Sequence, residues 1–376
     1  MAENYRAEHI GSFLRPAEVL QARGAYGQGQ ISLEQLRKVE DKAILSALEM
    51  QRQIGIDIFS DGEYRRAWFA GAFEESTDGT VIDPDASADT RWQGQSRGQA
   101  NSTAADLRLV QRFVGAKLRQ VRRLTAHESG FLKQHAHGPY KITMPGVMTR
   151  AIVWYKPGVT DQFYPTRADL VRDMASMVQS EVKALIDEGV PYIQLDSLDY
   201  VIRLADTRSR ERMTQAGIDL EKELDETIAA DNFCFQDARG SGVTVALHMC
   251  RGNNRSAWIS DGGYEATAEK AFNSLNVDRF LLEYDTGRAG GFEPLRFMPK
   301  DKTVVLGLIS TKEANLESQD DLLRRINEAS RYVPVENLAI SPQCGFASTA
   351  PGNLLTQDEQ RRKLELVVET ARRVWG

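Results

Sequence analysis

The stretch Gly242-Val-Thr-Val-Ala-Leu-His-Met-Cys-Arg-Gly-Asn253 decides how the chain is read. Val243 to Leu247 is an apolar, β-branched run of the kind that forms a buried strand. It runs straight into His248 and Cys250, two soft metal ligands one residue apart, and then into Gly252, Asn253 and Asn254, where a loop begins. The ligands sit where a strand gives way to a loop. In a barrel of parallel strands, that C-terminal rim is where chemistry is done. Two residues cannot close a zinc site, so further ligands are expected at other strand ends.

Working outward, the same strand-then-helix unit recurs. Strand patterns lie near residues 7, 56, 140, 192, 243, 280, 303 and 338, and helical pattern separates most of them. Ser32 reads as an N-cap for a helix from Leu33 to Ile54, and a long helix from Arg167 to Glu188 stops at Gly189. Alternating units imply parallel strands joined by right-handed crossovers. Eight of them closing on themselves give a (β/α)8 TIM barrel. The rival, an open doubly wound sheet, usually carries a nucleotide-binding glycine motif, and neither G-x-G-x-x-G after the first strand nor G-x-x-x-x-G-K-[ST] occurs. The alternation breaks once, between the second and third strands. Ser76 to Gln99 is polar, and Leu107 to Leu124 reads as a basic helix. We therefore expect one barrel domain over residues 1–376 with an inserted arm at 76–135.

Composition fits this reading. A 376-residue chain suits one large barrel. Its apolar and charged fractions, 41% and 27%, are those of an ordinary globular protein, and a net charge of -6 with mixed signs argues against a nucleic-acid binder. No apolar run approaches the roughly 20 residues of a membrane span, and the first residues lack a signal-peptide pattern. The three cysteines, at 234, 250 and 344, are an odd and sparse set. That suits a reducing compartment, so the protein is expected to be cytoplasmic. A homo-oligomer is compatible with this composition.

In a barrel, residues just past each strand face one mouth. Here they are Ser12, Glu63, Asp196, His248, Cys250, Glu283, Ser310-Thr311-Lys312 and Cys344. His248, Cys250, Glu283 and Cys344 are ligand types that zinc takes. One neutral imidazole, two thiolates and a carboxylate bring three negative charges against the two of Zn2+. So electron-rich a zinc is a poor activator of water but a suitable holder of a substrate thiol. A free thiol, with a pKa of about 8.5, stays mostly protonated at neutral pH, whereas a metal-bound one does not. Alkylation of a thiol is the chemistry this charge count predicts.

The chain resembles the catalytic barrel of cobalamin-independent methionine synthase, most nearly in its short single-barrel form. The matching pieces are His9-Ile-Gly-Ser12, Asp61-Gly-Glu63, Ile193-Gln-Leu-Asp196, His248-Met-Cys250, Glu283 and Ser341-Pro-Gln-Cys-Gly345, in order along almost the whole chain. The resemblance implies that His248, Cys250, Glu283 and Cys344 bind zinc. It also implies that Glu63 and Asp196 pair with the ammonium group of homocysteine, while the Gly11-Ser12 backbone and hydroxyl take its carboxylate. Methyl transfer to give methionine is the implied activity.

Three departures bear on the methyl donor. At this length there is room for one barrel, not for the second, folate-binding barrel of the full-length enzyme. The family's proton-donating histidine is replaced by Ser310-Thr311-Lys312, which makes Lys312 the nearest catalytic match. The tryptophan expected against the pterin is out of register, with Trp154 a few residues on. The donor is thus left open between 5-methyltetrahydrofolate and a methylated corrinoid protein. Two further readings stand beside this one: another zinc-dependent thiol alkylation, such as epoxide opening by coenzyme M, and a non-catalytic zinc- or corrinoid-binding partner protein. Simpler roles are expected elsewhere. Cys234, between Phe233 and Phe235, reads as core, His135 and His137 as a solvated loop, Asp199 as a supporting or surface group, and Arg119 to Arg123 as a solvated face or a docking surface.

Overall fold

The computed structural model describes residues 5–83, 92–94 and 112–376. Its strands are β1 (Thr77–Ile82), β2 (Arg112–Gln120), β3 (Lys141–Pro145), β4 (Tyr192–Ser197), β5 (Thr244–Met249), β6 (Arg279–Glu283), β7 (Thr303–Ile309) and β8 (Leu338–Pro342). β3 to β8 form one parallel sheet in chain order, each strand pairing with the next. β4, β5, β6 and β8 are buried almost throughout because helices cover their outer faces, and their sequences are correspondingly apolar runs.

The first two expected strands are reduced to single parallel bridges, Ala7 with Ile340 and Phe59 with Tyr140. The Asp57 amide donates to the Ala7 carbonyl at 3.1 Å. Hydrogen bonds therefore run from β8 through residues 6–8 and 57–59 to β3, as a closed barrel requires. The Asp57 carboxylate explains the short ladder. It accepts the amides of Arg6 at 2.6 Å and Ala7 at 2.8 Å, so a side chain takes donors that a longer strand would pair with main chain.

The covering helices start and stop where the sequence says. Ser32, Thr166 and Thr356 each cap a helix through a reciprocal box with Gln35, Asp169 and Glu359. Inside the sheet ring, Tyr5, Ile10, Ile58, Tyr192, Ala246, Leu281, Val305 and Ala339 pack as a core of their own. A charged group lies among them. Glu8 pairs with Arg279 at 2.6 Å and accepts the Tyr192 hydroxyl at 2.9 Å, with Lys141 3.8 Å away.

One expectation is corrected in the arm. Arg112 to Gln120 is not part of a basic helix but strand β2, paired antiparallel with β1; residues 107–111 lie outside the described residues. The physical reason is its pattern. Val114 and Leu118 are buried while their neighbours face outward, a spacing that serves a strand with an irregular register, and Phe113 and Val114 are β-formers. The basic residues here are neutralised, Arg119 by Asp78, Arg122 by Glu75 and Arg123 by Glu181 and Glu188. A helix, Ala126–His135, then leads back to β3. Among the described residues, no helix is long and apolar enough to cross a membrane.

Candidate metal centre and adjoining cavity

His248 is the penultimate residue of β5 and Cys250 lies one residue past its end, β6 ends on Glu283, and Cys344 lies two residues beyond β8. All four are buried, and one ligand atom from each falls within 4.8 Å of the others. The Cys250 and Cys344 sulfurs are 3.7 Å apart, and His248 Nε2 is 3.9 Å from Glu283 Oε1.

The ring orientation of His248 is fixed from behind. Its Nδ1 lies 3.1 Å from the Leu281 carbonyl, which can only accept, so Nδ1 carries a proton and Nε2 is the nitrogen turned to the cluster. Glu283 is held by the Arg251 amide at 2.8 Å on Oε1, and Cys250 accepts the Gly252 amide at 3.3 Å. His248 Nε2 and Glu283 Oε2 are buried with no hydrogen-bond partner. Buried polar atoms without partners, converging with two sulfurs, are costly unless something satisfies them, and a metal cation would. The donor set fits zinc, which takes His, Cys and carboxylate ligands in fours.

Electrostatics say the same. Burial lowers the His248 pKa, but the Cys344 thiolate beside it more than offsets this and holds the imidazole up to about 9. The hydrogen bond shared by the two sulfurs raises the Cys250 thiol and lowers that of Cys344. Burial, helped by Cys344, lifts Glu283 to about 7. Protons thus gather where a dication would otherwise balance the charge. Arg288, nearby in sequence, pairs with Asp285 at 3.2 Å.

Beside the cluster lies a cavity of about 530 Å³. Ser12, Glu63, Asp196, His248, Cys250 and Cys344 all line it, so six of the ten strand-end residues singled out from sequence share one space. Glu63 reaches it from a left-handed backbone (φ 58°) just after Gly62. Its Oε1 accepts the Thr143 hydroxyl at 2.8 Å, and its Oε2 is buried and unpartnered. Asp196 stands beside His248 in the β4–β5 register, and Gln194 donates to its Oδ1 at 2.7 Å. Burial raises Asp196 to about 7 and also raises Glu63. Ser12 Oγ accepts the Ala347 amide at 3.3 Å, which leaves its own proton to donate. Two glycines make room. A Cβ on Gly11 would lie 2.9 Å from Glu63 Oε1, and one on Gly345 would lie 2.0 Å from Ser12 Oγ.

Lys312 is placed differently. Its Nζ donates to Asn253 Oδ1 at 2.7 Å and to the carbonyls of Gly252 and Ala257 at 3.2 and 3.3 Å. It does not line the cavity, and its three donors are used in pinning the 252–257 loop. Trp154 is also withdrawn, buried against Phe73 with ring centroids 5.8 Å apart. The aromatic side chains at the cavity are Trp68, Phe69 and Trp92, which sequence reasoning missed. Trp68 follows the second strand and could have been found by the strand-end rule; Trp92 lies in the polar arm and gave no signal. Asp199 is buried rather than superficial, accepting the Thr149 hydroxyl at 2.6 Å and pairing with Arg203 at 3.1 Å. His135 and His137 belong to no group of potential metal ligands found among the described residues. Cys234 is buried in the core, as expected.

Fold and site together define a parallel barrel that presents a buried His/Cys/Glu cluster, able to hold a metal ion, to a cavity at its C-terminal rim. Residues 6–373 match the family described as "Cobalamin-independent synthase, Catalytic domain". The chain belongs to the cobalamin-independent methionine synthase family, a family of methyltransferases. It is 37% identical to the uncharacterized protein YxjH of Bacillus subtilis over 99% of this chain and 95% of that one. It is 24% identical to a methionine synthase of Sulfurisphaera tokodaii, over 90% of this chain and 84% of that one. Among solved structures it resembles a putative vitamin-B12 independent methionine synthase from Listeria monocytogenes, with a TM-score of 0.72 and 26% identity over 100% and 99% of the two chains. A B12-independent methionine synthase from Shewanella sp. W3-18-1, solved with selenomethionine, shares the fold at a TM-score of 0.73 and 20% identity over 99% and 98% of the chains.

Proposed function

We propose that the protein transfers a methyl group to the thiol of homocysteine, giving methionine, with zinc held by His248, Cys250, Glu283 and Cys344. The observation that carries this reading is the meeting of two sites in one cavity. The four ligand atoms lie within 4.8 Å of one another, and the ligands His248, Cys250 and Cys344 face the same space as Glu63, Asp196 and Ser12. When bound there, zinc would supply a substrate thiol as thiolate at neutral pH. The chain does the rest. Glu63 and Asp196 take the ammonium group of the amino acid. Ser12, with a proton free to donate, takes the carboxylate together with the Gly11 region. Trp68 and Trp92 bound the part of the cavity left for the methyl donor, 5-methyltetrahydrofolate or a methylated corrinoid. Lys312 serves to hold a rim loop through its contacts with Asn253, Gly252 and Ala257. One barrel domain with its arm, working in the cytoplasm, completes the proposal.

Zinc-edge absorption with and without homocysteine tests it. A new sulfur neighbour at the metal on adding homocysteine is the expected result. A Cys344→Ser variant should lose zinc and thiol binding together. Full activity in a metal-free preparation would overturn the proposal. Assays with methyltetrahydrofolate, methylcobalamin and an epoxide, each against homocysteine and coenzyme M, identify the donor.

A further inference from the structure

Both carboxylates that face the cavity are backed by a buried cation that does not touch them at hydrogen-bond distance. Behind Glu63 stands Arg66, whose Nη1 is 3.9 Å from Glu63 Oε1. Arg66 instead donates to Thr143 Oγ1 at 3.2 Å and to the Thr143 carbonyl at 2.6 Å. A guanidinium has no acceptor, so the Thr143 oxygen must receive from it. The single hydroxyl proton of Thr143 is then directed at Glu63 Oε1, 2.8 Å away. Behind Asp196 stands Lys141, whose ammonium donates to Gln194 Oε1 at 2.8 Å. An ammonium cannot accept either, so the Gln194 amide cannot be flipped. Its nitrogen must face the other way, where it donates to the Ile10 carbonyl and to Asp196 Oδ1, both at 2.7 Å.

The two arrangements are alike in logic. A cation fixes the polarity of a neutral side chain, and that side chain gives one donor to one carboxylate oxygen. Direct ion pairs would have consumed the carboxylates. An orienting hydrogen bond leaves each with an oxygen for a ligand, and on Glu63 that second oxygen is buried and unpartnered. Each cation is anchored elsewhere, Arg66 by Glu128 at 2.7 Å and Lys141 by the His9 carbonyl with Glu8 3.8 Å away.

We propose that Thr143 and Gln194 are positioning residues that fix Glu63 and Asp196 for a ligand's ammonium group and so make the site selective for amino-acid thiols over plain thiols. This rests on the homocysteine reading above. It predicts that losing either bridge weakens the grip on the amino group alone.

The test compares homocysteine with 4-mercaptobutanoate, its counterpart without the amino group, in zinc-loaded wild type, Thr143→Val and Gln194→Met, by calorimetry and steady-state kinetics. A hydrogen bond to a charged group sets the scale at about ten- to a hundredfold. We expect the Kd and KM for homocysteine to rise by about that factor, with kcat within about threefold and 4-mercaptobutanoate binding unchanged. Thr143→Ser, which keeps the hydroxyl, should restore wild-type binding. Unchanged homocysteine binding in both variants, or an equal loss for both thiols, would overturn the positioning role while leaving the function intact. Wild-type zinc protein that binds neither thiol would overturn the function itself. Should Thr143→Val fail to fold, Thr143→Ala, which adds no bulk beside Gly11, reads the same split.

Discussion

Gly345 shows how much a single position decides at the rim. It follows the ligand Cys344 and leaves just enough room for Ser12, whose Oγ would sit 2.0 Å from any added Cβ. A Gly345→Ala variant must therefore push Ser12 aside or shift the Cys344 turn. Overpacking of this kind costs about 1–3 kcal/mol. We expect a lower midpoint in urea and weaker homocysteine binding with zinc content retained, measured by metal analysis alongside calorimetry. The clustering of His248, Cys250, Glu283 and Cys344 was readable from sequence because each is a distinctive residue at or just past the end of a recognisable strand. Lys312 was singled out for the same reason. Its position after β7 placed it at the mouth, but position does not reveal that Asn253 and two carbonyls already occupy its ammonium group.

At the scale of elements, the six-stranded ladder from β3 to β8 was legible because parallel strands buried on both faces leave apolar runs. The arm was not. Arg112 to Gln120 mixes basic and apolar residues closely enough to suit a helix, and only the partner strand β1 selects the extended form. The arm's returning helix is tied to the barrel by Glu128, which reaches Arg66 in the interior and leaves both side chains buried. Removing one member of such a pair strands the other charge and costs about 3–5 kcal/mol. Glu128→Gln should show a loss of this order in chemical denaturation. It should also weaken homocysteine binding, because Arg66 would be freer to approach Glu63 directly.

For the whole molecule, one pH effect can be isolated. His127 is held down to about 3, chiefly by burial and then by Arg37, Arg122, Arg65 and Arg66 around it. Its folded pKa lies below the unfolded value of about 6.5. The unfolded chain then binds the extra proton as pH falls, so this contribution is complete above about 6.5 and is lost on acidification toward the folded pKa. The loss approaches about 1.4 kcal/mol for each unit below 6.5. Asp61 and Asp196, raised by burial to about 6 and 7, act in the opposite sense. The clean measurement is thus a difference. The stability gap between wild type and His127→Asn, taken from urea melts at pH 7 and pH 5, should shift by about 2 kcal/mol in favour of the variant at the lower pH.

The barrel is not equally stitched around its circumference. His248, Cys250, Glu283 and Cys344 are carried on the continuous ladder from β5 to β8, whereas Ser12 and Glu63 follow segments joined to it by single bridges. Amide exchange should be faster at residues 7 and 59 than at residues 247 and 306. The protein would then have a stiff half that carries the His/Cys/Glu cluster and a yielding half that carries Ser12 and Glu63. Under the proposed function, product would leave by a local loosening of the seam while the four clustered side chains stay in place for the next thiol.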